Sequence, residues 1–350
     1  MLMMVLLAVY FFVFYPQAQR DADQARQQQA DREQIEQELQ DEITQIQEEE
    51  AVTTDSVKHE ERLASYGEFT PAMEGEEKQI HVKTDMLDMT FNTKGGIVES
   101  VILPKHLTYS GEPLPLIVKD QASLSYDFSA LVNSRSVGIK SSDLIYKTDA
   151  TDITLSADNV ATIKMVAQLD DARKIEHIYT IQGDRYDIGF EVNFVGMEKV
   201  MKNKYLGLNW DMQVPLTEKD IKPQRQKTNI SFRQGKDIEN MGGRMGGDNL
   251  EEFAENGVNW VSLRSQFFST ALIPAKPFSD AKMIVTTPES EDYVKELSAN
   301  MAIDLTKTEN GRGVSMTWFM GPNEYYLLKS YDQDLEEQLD LGWFIIGGIK

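Results

Sequence analysis

At 350 residues the chain has room for one large domain or two ordinary ones, with a substantial core. Its 57 acidic residues against 35 basic ones give a formal charge of −22, which argues against nucleic-acid binding, since phosphate backbones need cations. The lack of cysteine removes disulfides, thiolate metal sites and a lipid-modified cysteine anchor together, and four scattered histidines (His59, His81, His106, His177) do not suggest a histidine-rich metal centre.

The first 15 residues, MLMMVLLAVYFFVFY, carry no charge. At about 1.5 Å per residue they span roughly 22 Å of a hydrocarbon core about 30 Å thick, so residues 1–16 are expected to be the outer part of a truncated transmembrane helix. A secretory signal is the rival reading, but no basic residue precedes the run and Pro16-Gln17-Ala18 is a poor cleavage site. Either way the residues that follow have crossed a membrane. From Gln17 to Arg62 there is no Gly or Pro, with 14 acidic residues against 5 basic ones. Ile35, Leu39, Ile43 and Ile46 have helical spacing over too short a stretch for a coiled coil, so residues 17–75 are read as an acidic Gln/Glu-rich tether, ended by Gly67, Pro71 and Gly75.

Beyond about Gln79 the hydrophobic period becomes two. Leu206, Leu208, Trp210, Met212 and Val214 alternate with polar residues, as do Tyr186 to Phe194 and Val314 to Met320. Such runs are half-buried antiparallel strands, and Gly95-Gly96, Gly183-Asp184 and Asn256-Gly257 are turn signals between them. The pattern predicts a mainly β domain over 76–322, a large antiparallel β-sandwich. After Gly321-Pro322-Asn323, the residues Leu328, Tyr331, Leu335 and Leu339 share one helical face, predicting a helix over 323–338. Residues 339–350 then turn apolar, with Trp343, Phe344, Ile345 and Ile346 suited to a membrane surface.

No HExxH, GxSxG, P-loop or paired-cysteine signature is present, so no catalytic residue, metal or cofactor is assigned. The Gly-rich stretch from Met241 to Asp248 reads as a surface loop more readily than as an anion-binding nest. Lys222, Arg225, Lys227, Arg233 and Lys236 form a basic island that either meets lipid headgroups or an acidic partner, or balances local acid as a solvated loop. His106 and His177 are open to acid–base work or to ordinary places in a sheet. Trp260, Phe267 and Phe268, in the densest aromatic stretch, are either a binding stripe or core. Strand count, acidic surface and aromatic content also admit a membrane-anchored carbohydrate-binding or carbohydrate-processing sandwich.

Three motifs carry a family resemblance: VKTDMLDMTFNTKGGIVESVILPKH from Val82, VNWVSLRSQFFSTALIP from Val258, and the ending MGPNEYYLLKS to LDLGWFIIGGIK. In this order they resemble the amino-terminal half of the YidC family of bacterial membrane protein insertases. The resemblance implies a first transmembrane helix, a periplasmic tether and a periplasmic β-supersandwich similar to galactose mutarotases. C-terminal helices would follow, then an amphipathic helix on the outer membrane face, with Trp343, Phe344, Ile345 and Ile346 toward the bilayer. It further implies a non-enzymatic protein of the bacterial inner membrane, mostly periplasmic, that helps nascent inner-membrane proteins insert and fold, alone or with the Sec translocon. The insertion groove would belong to later transmembrane helices, after Lys350.

Overall fold

The computed structural model describes residues 57–201, 204–242, 249–307 and 313–339. The expected transmembrane run 1–16, most of the tether, most of the Gly-rich stretch and the segment holding Trp343 to Ile346 lie outside the described residues. No helix among the described residues is long and apolar enough to cross a membrane. The chain divides into two compact units, Met1–Ala64 and Ser65–Lys350. Of the first, residues 57–64 are described and are helical. The second holds the β domain.

In chain order the strands are β1 Gln79–Lys83, β2 Asp88–Asn92, β3 Ile97–Leu107, β4 Pro113–Ile117, β5 Ala122–Val132, β6 Arg135–Lys140, β7 Ile153–Thr154, β8 Val160–Gln168 and β9 Lys174–Gln182. They continue as β10 Asp187–Val195, β11 Tyr205–Gln213, β12 Asn229–Gln234, β13 Asp237–Met241, β14 Asn249–Arg264, β15 Phe268–Pro274, β16 Phe278–Thr286, β17 Glu296–Asp304 and β18 Gly313–Pro322. The mainly β expectation holds. Alternation is the cause: in β11, Leu206, Leu208, Trp210 and Met212 are buried while the residues between them are not, which places every second side chain on one face of the pleat.

A small sheet runs β4-β3-β2-β1-β7, antiparallel but for the short β1/β7 pair. The large sheet runs β6-β5-β11-β17-β16-β14-β15-β18-β10-β9-β8, with β12 and β13 attached to β14. Seven strands separate β5 from β9 along this order. Laid flat at about 4.8 Å per strand, the two would lie more than about 30 Å apart. Yet the Tyr126 hydroxyl on β5 is 2.8 Å from His177 Nε2 on β9, so the large sheet curls until its two ends meet face to face.

The small sheet joins them at the turn between β2 and β3. His177 Nδ1 lies 2.8 Å from the Gly96 carbonyl, and the Tyr179 hydroxyl donates to the same oxygen at 2.7 Å. With Nδ1–H donating, Nε2 accepts from Tyr126, whose oxygen then accepts from the Tyr146 hydroxyl at 2.9 Å. Every polar atom of this buried set has a partner, which offsets the cost of removing it from water. Rings fill the remaining space: Tyr179 stacks on Phe190 at 4.7 Å and meets Phe91 edge-on at 4.9 Å. Burial pushes the His177 imidazole down to about 4, against the smaller opposing pull of the Gly96 carbonyl.

The Gly95-Gly96 turn signal is explained by this packing. Gly96 has φ +62, and a Cβ there would lie 2.7 Å from His177 Nδ1 and 2.9 Å from the Tyr146 ring. Gly96→Ala is expected to destabilise the domain by about 3 kcal/mol, combining backbone strain with overpacking. Gly111, at φ +87 with nothing within 4 Å, serves as the reference. Gly111→Ala should cost only the strain, about 1 kcal/mol. Equal losses in denaturant titrations of the two variants would contradict the packing account.

A second expectation concerns acid. The unfolded chain protonates a histidine below about 6.5, whereas folded His177 stays neutral until about 4. The unfolded state binds more protons in that window, so this site's contribution to stability is full near neutrality and falls by roughly 3 kcal/mol as pH drops through it. Denaturant titrations at neutral pH and near pH 4.5 should show a larger acid loss for the wild type than for His177→Phe. The same loss in both would refute the assignment.

Candidate functional site

The ends of several strands converge on one rim of the domain, held by Gln224. This residue lies on the short helix Ile221–Lys227 and is fully buried. Its Oε1 accepts from the backbone N–H groups of Thr217 and Glu218 at 3.2 and 3.3 Å. Its amide nitrogen faces Pro215 O, Thr217 Oγ1 and Ser265 Oγ at 3.0 to 3.1 Å. One side chain thus ties the loop after β11 to the hairpin turn between β14 and β15. Asn323 ties the same turn to the end of β18, its N–H donating to Phe267 O at 2.8 Å and its side chain to Ser265 O at 3.3 Å. On the far side of that turn, the His106 ring at the end of β3 meets Phe268 edge-on at 5.1 Å, and the Tyr109 N–H donates to Thr217 O at 2.9 Å.

These ties leave apolar side chains pointing outward around the rim. Tyr326 is 75% exposed, Tyr109 66%, Leu107 62%, Phe267 51% and Leu216 41%. Lys219 Nζ sits 5.6 Å from the centre of the Tyr109 ring, and Lys329 Nζ 5.5 Å from that of Tyr325, within cation–π range. Behind them, His106 Nε2 and the Tyr186 hydroxyl are 3.0 Å apart. Burial pushes the His106 imidazole down, with Lys105 adding and Glu324 opposing. Burial also pushes the Tyr186 phenol up, helped by Glu324.

Beside the rim, residues 323–339 form a strap across the outer face of β12, β14, β15 and β18. The single helix expected over 323–338 is in fact a helix at Tyr325–Lys329 and a 3-10 turn at Leu335–Gln338. Asp332 and Asp334 between them take left-handed φ of 52° and 55°, a conformation short polar side chains tolerate. The break has a physical use. It frees the Gln333 carbonyl to accept from Trp260 Nε1 and Arg233 Nη1, both at 2.9 Å. Leu328 and Leu335 bury against Trp260, Ala271, Ile273 and Phe319, each leucine worth about 1.5–3 kcal/mol. The Tyr331 hydroxyl donates to Asp187 Oδ1 at 2.7 Å, and burial followed by that carboxylate pushes the phenol up.

The strap's end lies at the base of the β14/β15 hairpin, where Arg264 donates to the Gln338 carbonyl. The sheet face beneath it is also polar. The side chains of Ser262, Ser269 and Gln338 are buried there without a hydrogen-bond partner among the described residues.

The basic island does not form one patch. Arg225 donates to the backbone carbonyls of Val294, Pro288 and Ser290, and Arg233 pairs with Asp334 at 2.7 Å as well as with Gln333. Lys222 and Lys236 are exposed and Lys227 is partly so. Trp260, Phe267 and Phe268 also separate: Trp260 lies under the strap, Phe268 packs against the core and Phe267 stands at the turn in solvent. His177 belongs to the buried network above, with both ring nitrogens engaged. The sequence offered no direct sign of Gln224, one of several amides within the basic run.

A cleft of about 620 Å³ opens between the small sheet and β5/β11, lined by Glu77, Asn92, Glu99, Lys119, Asp211 and Glu296 among others. Much of its polarity is internally paired: the Asn92 amide donates to Glu99 at 2.8 Å, and Lys119 pairs with Glu99 at 3.3 Å. Among the described residues, its lining includes no aromatic side chain.

A family model described as the YidC periplasmic domain matches residues 79–347. The membrane protein insertase YidC of Chloroherpeton thalassium is 27% identical over 298 residues, covering 83% of this chain and 50% of that protein. Its counterpart in Chlorobaculum tepidum is 26% identical over 285 residues, covering 81% and 48%. The chain therefore spans about half the length of the curated relatives it matches. Among solved structures, a galactose mutarotase-like protein from Lactobacillus casei aligns over 70% of this chain and 100% of its own, at 9% identity and a TM-score of 0.42, a likeness too loose to build on. With the family match running from the first residue of β1 through the whole strap, the chain belongs to the family of YidC periplasmic domains.

Proposed function

We propose that the chain is the membrane-tethered periplasmic part of an insertase that helps nascent inner-membrane proteins enter the bilayer and fold, alone or with the Sec translocon. The observation that carries this reading is the family match over 79–347. The strap supports it: its last described residue, Leu339, precedes the apolar run 341–349 by two positions. That run, with Trp343, Phe344, Ile345 and Ile346, would lie along the outer membrane face, and residues 1–16 would cross the bilayer. The domain would brace and dock, with the exposed Lys222 and Lys236 facing headgroups or an acidic partner. Arg225 and Arg233 would support that surface from within. The curled large sheet suits a galactose mutarotase-like β-supersandwich.

The domain's own role in this reading is non-catalytic. The buried imidazole of His177 has its donor and its lone pair both engaged, so it has no atom left for a substrate. A carbohydrate-processing role has less support, because the cleft has no aromatic platform among the described residues for a sugar ring.

Two measurements test the proposal. Since the chain has no cysteine, Lys236→Cys in the exposed turn between β12 and β13 reports its compartment. It should react in cells with a permeabilised outer membrane and a maleimide that cannot cross the inner one; reaction only after inner-membrane lysis would overturn the periplasmic placement. Vesicles carrying the full-length protein should also give protease-protected insertion of a short inner-membrane protein, and insertion no better than in empty vesicles would overturn the insertase reading.

A further inference from the structure

We infer that the aromatic rim is a second membrane contact, seated in the headgroup layer of the bilayer. The inference rests on the membrane-surface reading of residues 341–349 and extends it to the folded domain. Tyr109, Phe267 and Tyr326, with Leu107 and Leu216, are exposed apolar groups drawn from four separate chain segments. Single exposed apolar residues are ordinary on a protein surface; a converging set marks a surface that meets something.

The occupant follows from where the chain leaves the domain. Gln338 is hydrogen-bonded to Arg264 at the base of the hairpin whose turn presents Phe267. Two further residues reach Leu341, at most about 7 Å of extended chain beyond Leu339. An apolar run resting on the bilayer from Leu341 onward therefore holds this rim, and not the opposite end of the domain, against the membrane. The rim's chemistry fits that depth. Tyrosine belongs to the water–hydrocarbon boundary, where its ring and hydroxyl are each suitably solvated. Lys219 and Lys329, poised over Tyr109 and Tyr325, can reach lipid phosphates from there. The opposite end lies along the nine residues of β11, about 30 Å away, where Tyr205 is 49% exposed.

The test uses the 350-residue chain, which has no cysteine, in vesicles of phosphatidylethanolamine and phosphatidylglycerol. One environment-sensitive fluorophore is placed at a time by Phe267→Cys, Tyr326→Cys, Phe344→Cys or Tyr205→Cys, and is quenched by lipids carrying a nitroxide on the headgroup. Fluorophores at 267, 326 and 344 should quench with a several-fold steeper slope than the one at 205. If 344 quenches while 267 and 326 match 205, the rim contact is overturned and the membrane-surface reading of 341–349 survives. If 344 also matches 205, that reading fails and the rim contact fails with it. Adding Lys219→Glu and Lys329→Glu should flatten the slopes at 267 and 326 while leaving 344 unchanged; unaltered slopes would remove the lysines from the contact.

Discussion

A single backbone oxygen anchors the buried seam between the two sheets. The Gly96 carbonyl, on the turn of the small sheet, accepts from His177 and Tyr179 on β9 of the large one. Through His177 Nε2 the link passes to Tyr126 on β5, at the other end of the same large sheet. Curling brings two distant edges together, and polar atoms buried at such a seam cost several kcal/mol unless each is paired. Here each is paired in one arrangement only. That arrangement fixes the tautomer of the histidine, the left-handed turn at Gly96 and the register in which the ends of the large sheet meet.

The opposite design governs the strap. Its leucines bury against Trp260 and Phe319, and its broken helix offers the one Gln333 carbonyl to both Trp260 and Arg233. Yet on the neighbouring face the side chains of Ser262, Ser269 and Gln338 have no hydrogen-bond partner among the described residues. The core seam is fully satisfied, whereas the strap's seam is satisfied only in part. A domain built this way keeps its interior invariant and places its weaker joint under the strap.

Much of the fold was legible in the sequence because burial on one face of a strand imposes a period of two. The run from Leu206 to Met212 is a direct print of that constraint, and the Gly95-Gly96 turn is the print of another, a left-handed backbone with no room for a side chain at Gly96. Tertiary pairings leave no such print. Nothing local separates Arg225, whose guanidinium meets three backbone carbonyls, from Lys222 three residues earlier in the same basic run, since only the fold brings Pro288, Ser290 and Val294 alongside. The same holds for Gln224 and for the break at Asp332 and Asp334, where leucines at helical spacing suggested one helix and the sheet's buried donors required something else. The aromatic stretch from Val258 divides between the two readings it allowed: its residues fall on two strands and a turn, so Trp260 and Phe268 pack inside while Phe267 stands in solvent.

The strand order has a consequence for how the domain comes into being. The last strand, β18, is not at an edge; it lies between β15 and β10. Until residues 313–322 are available, the large sheet exists as two unjoined parts with open edges, and the pairing of β10 with β18 closes a loop of more than a hundred residues. Such long-range closure is slow, and open edges invite mispairing. Completion therefore waits for nearly the whole β domain, and the strap is the next segment in line. Closure of the sheet and docking of the strap, whose leucines pack on Ala271 of β15 and Phe319 of β18, become consecutive events, timed by the position of one strand.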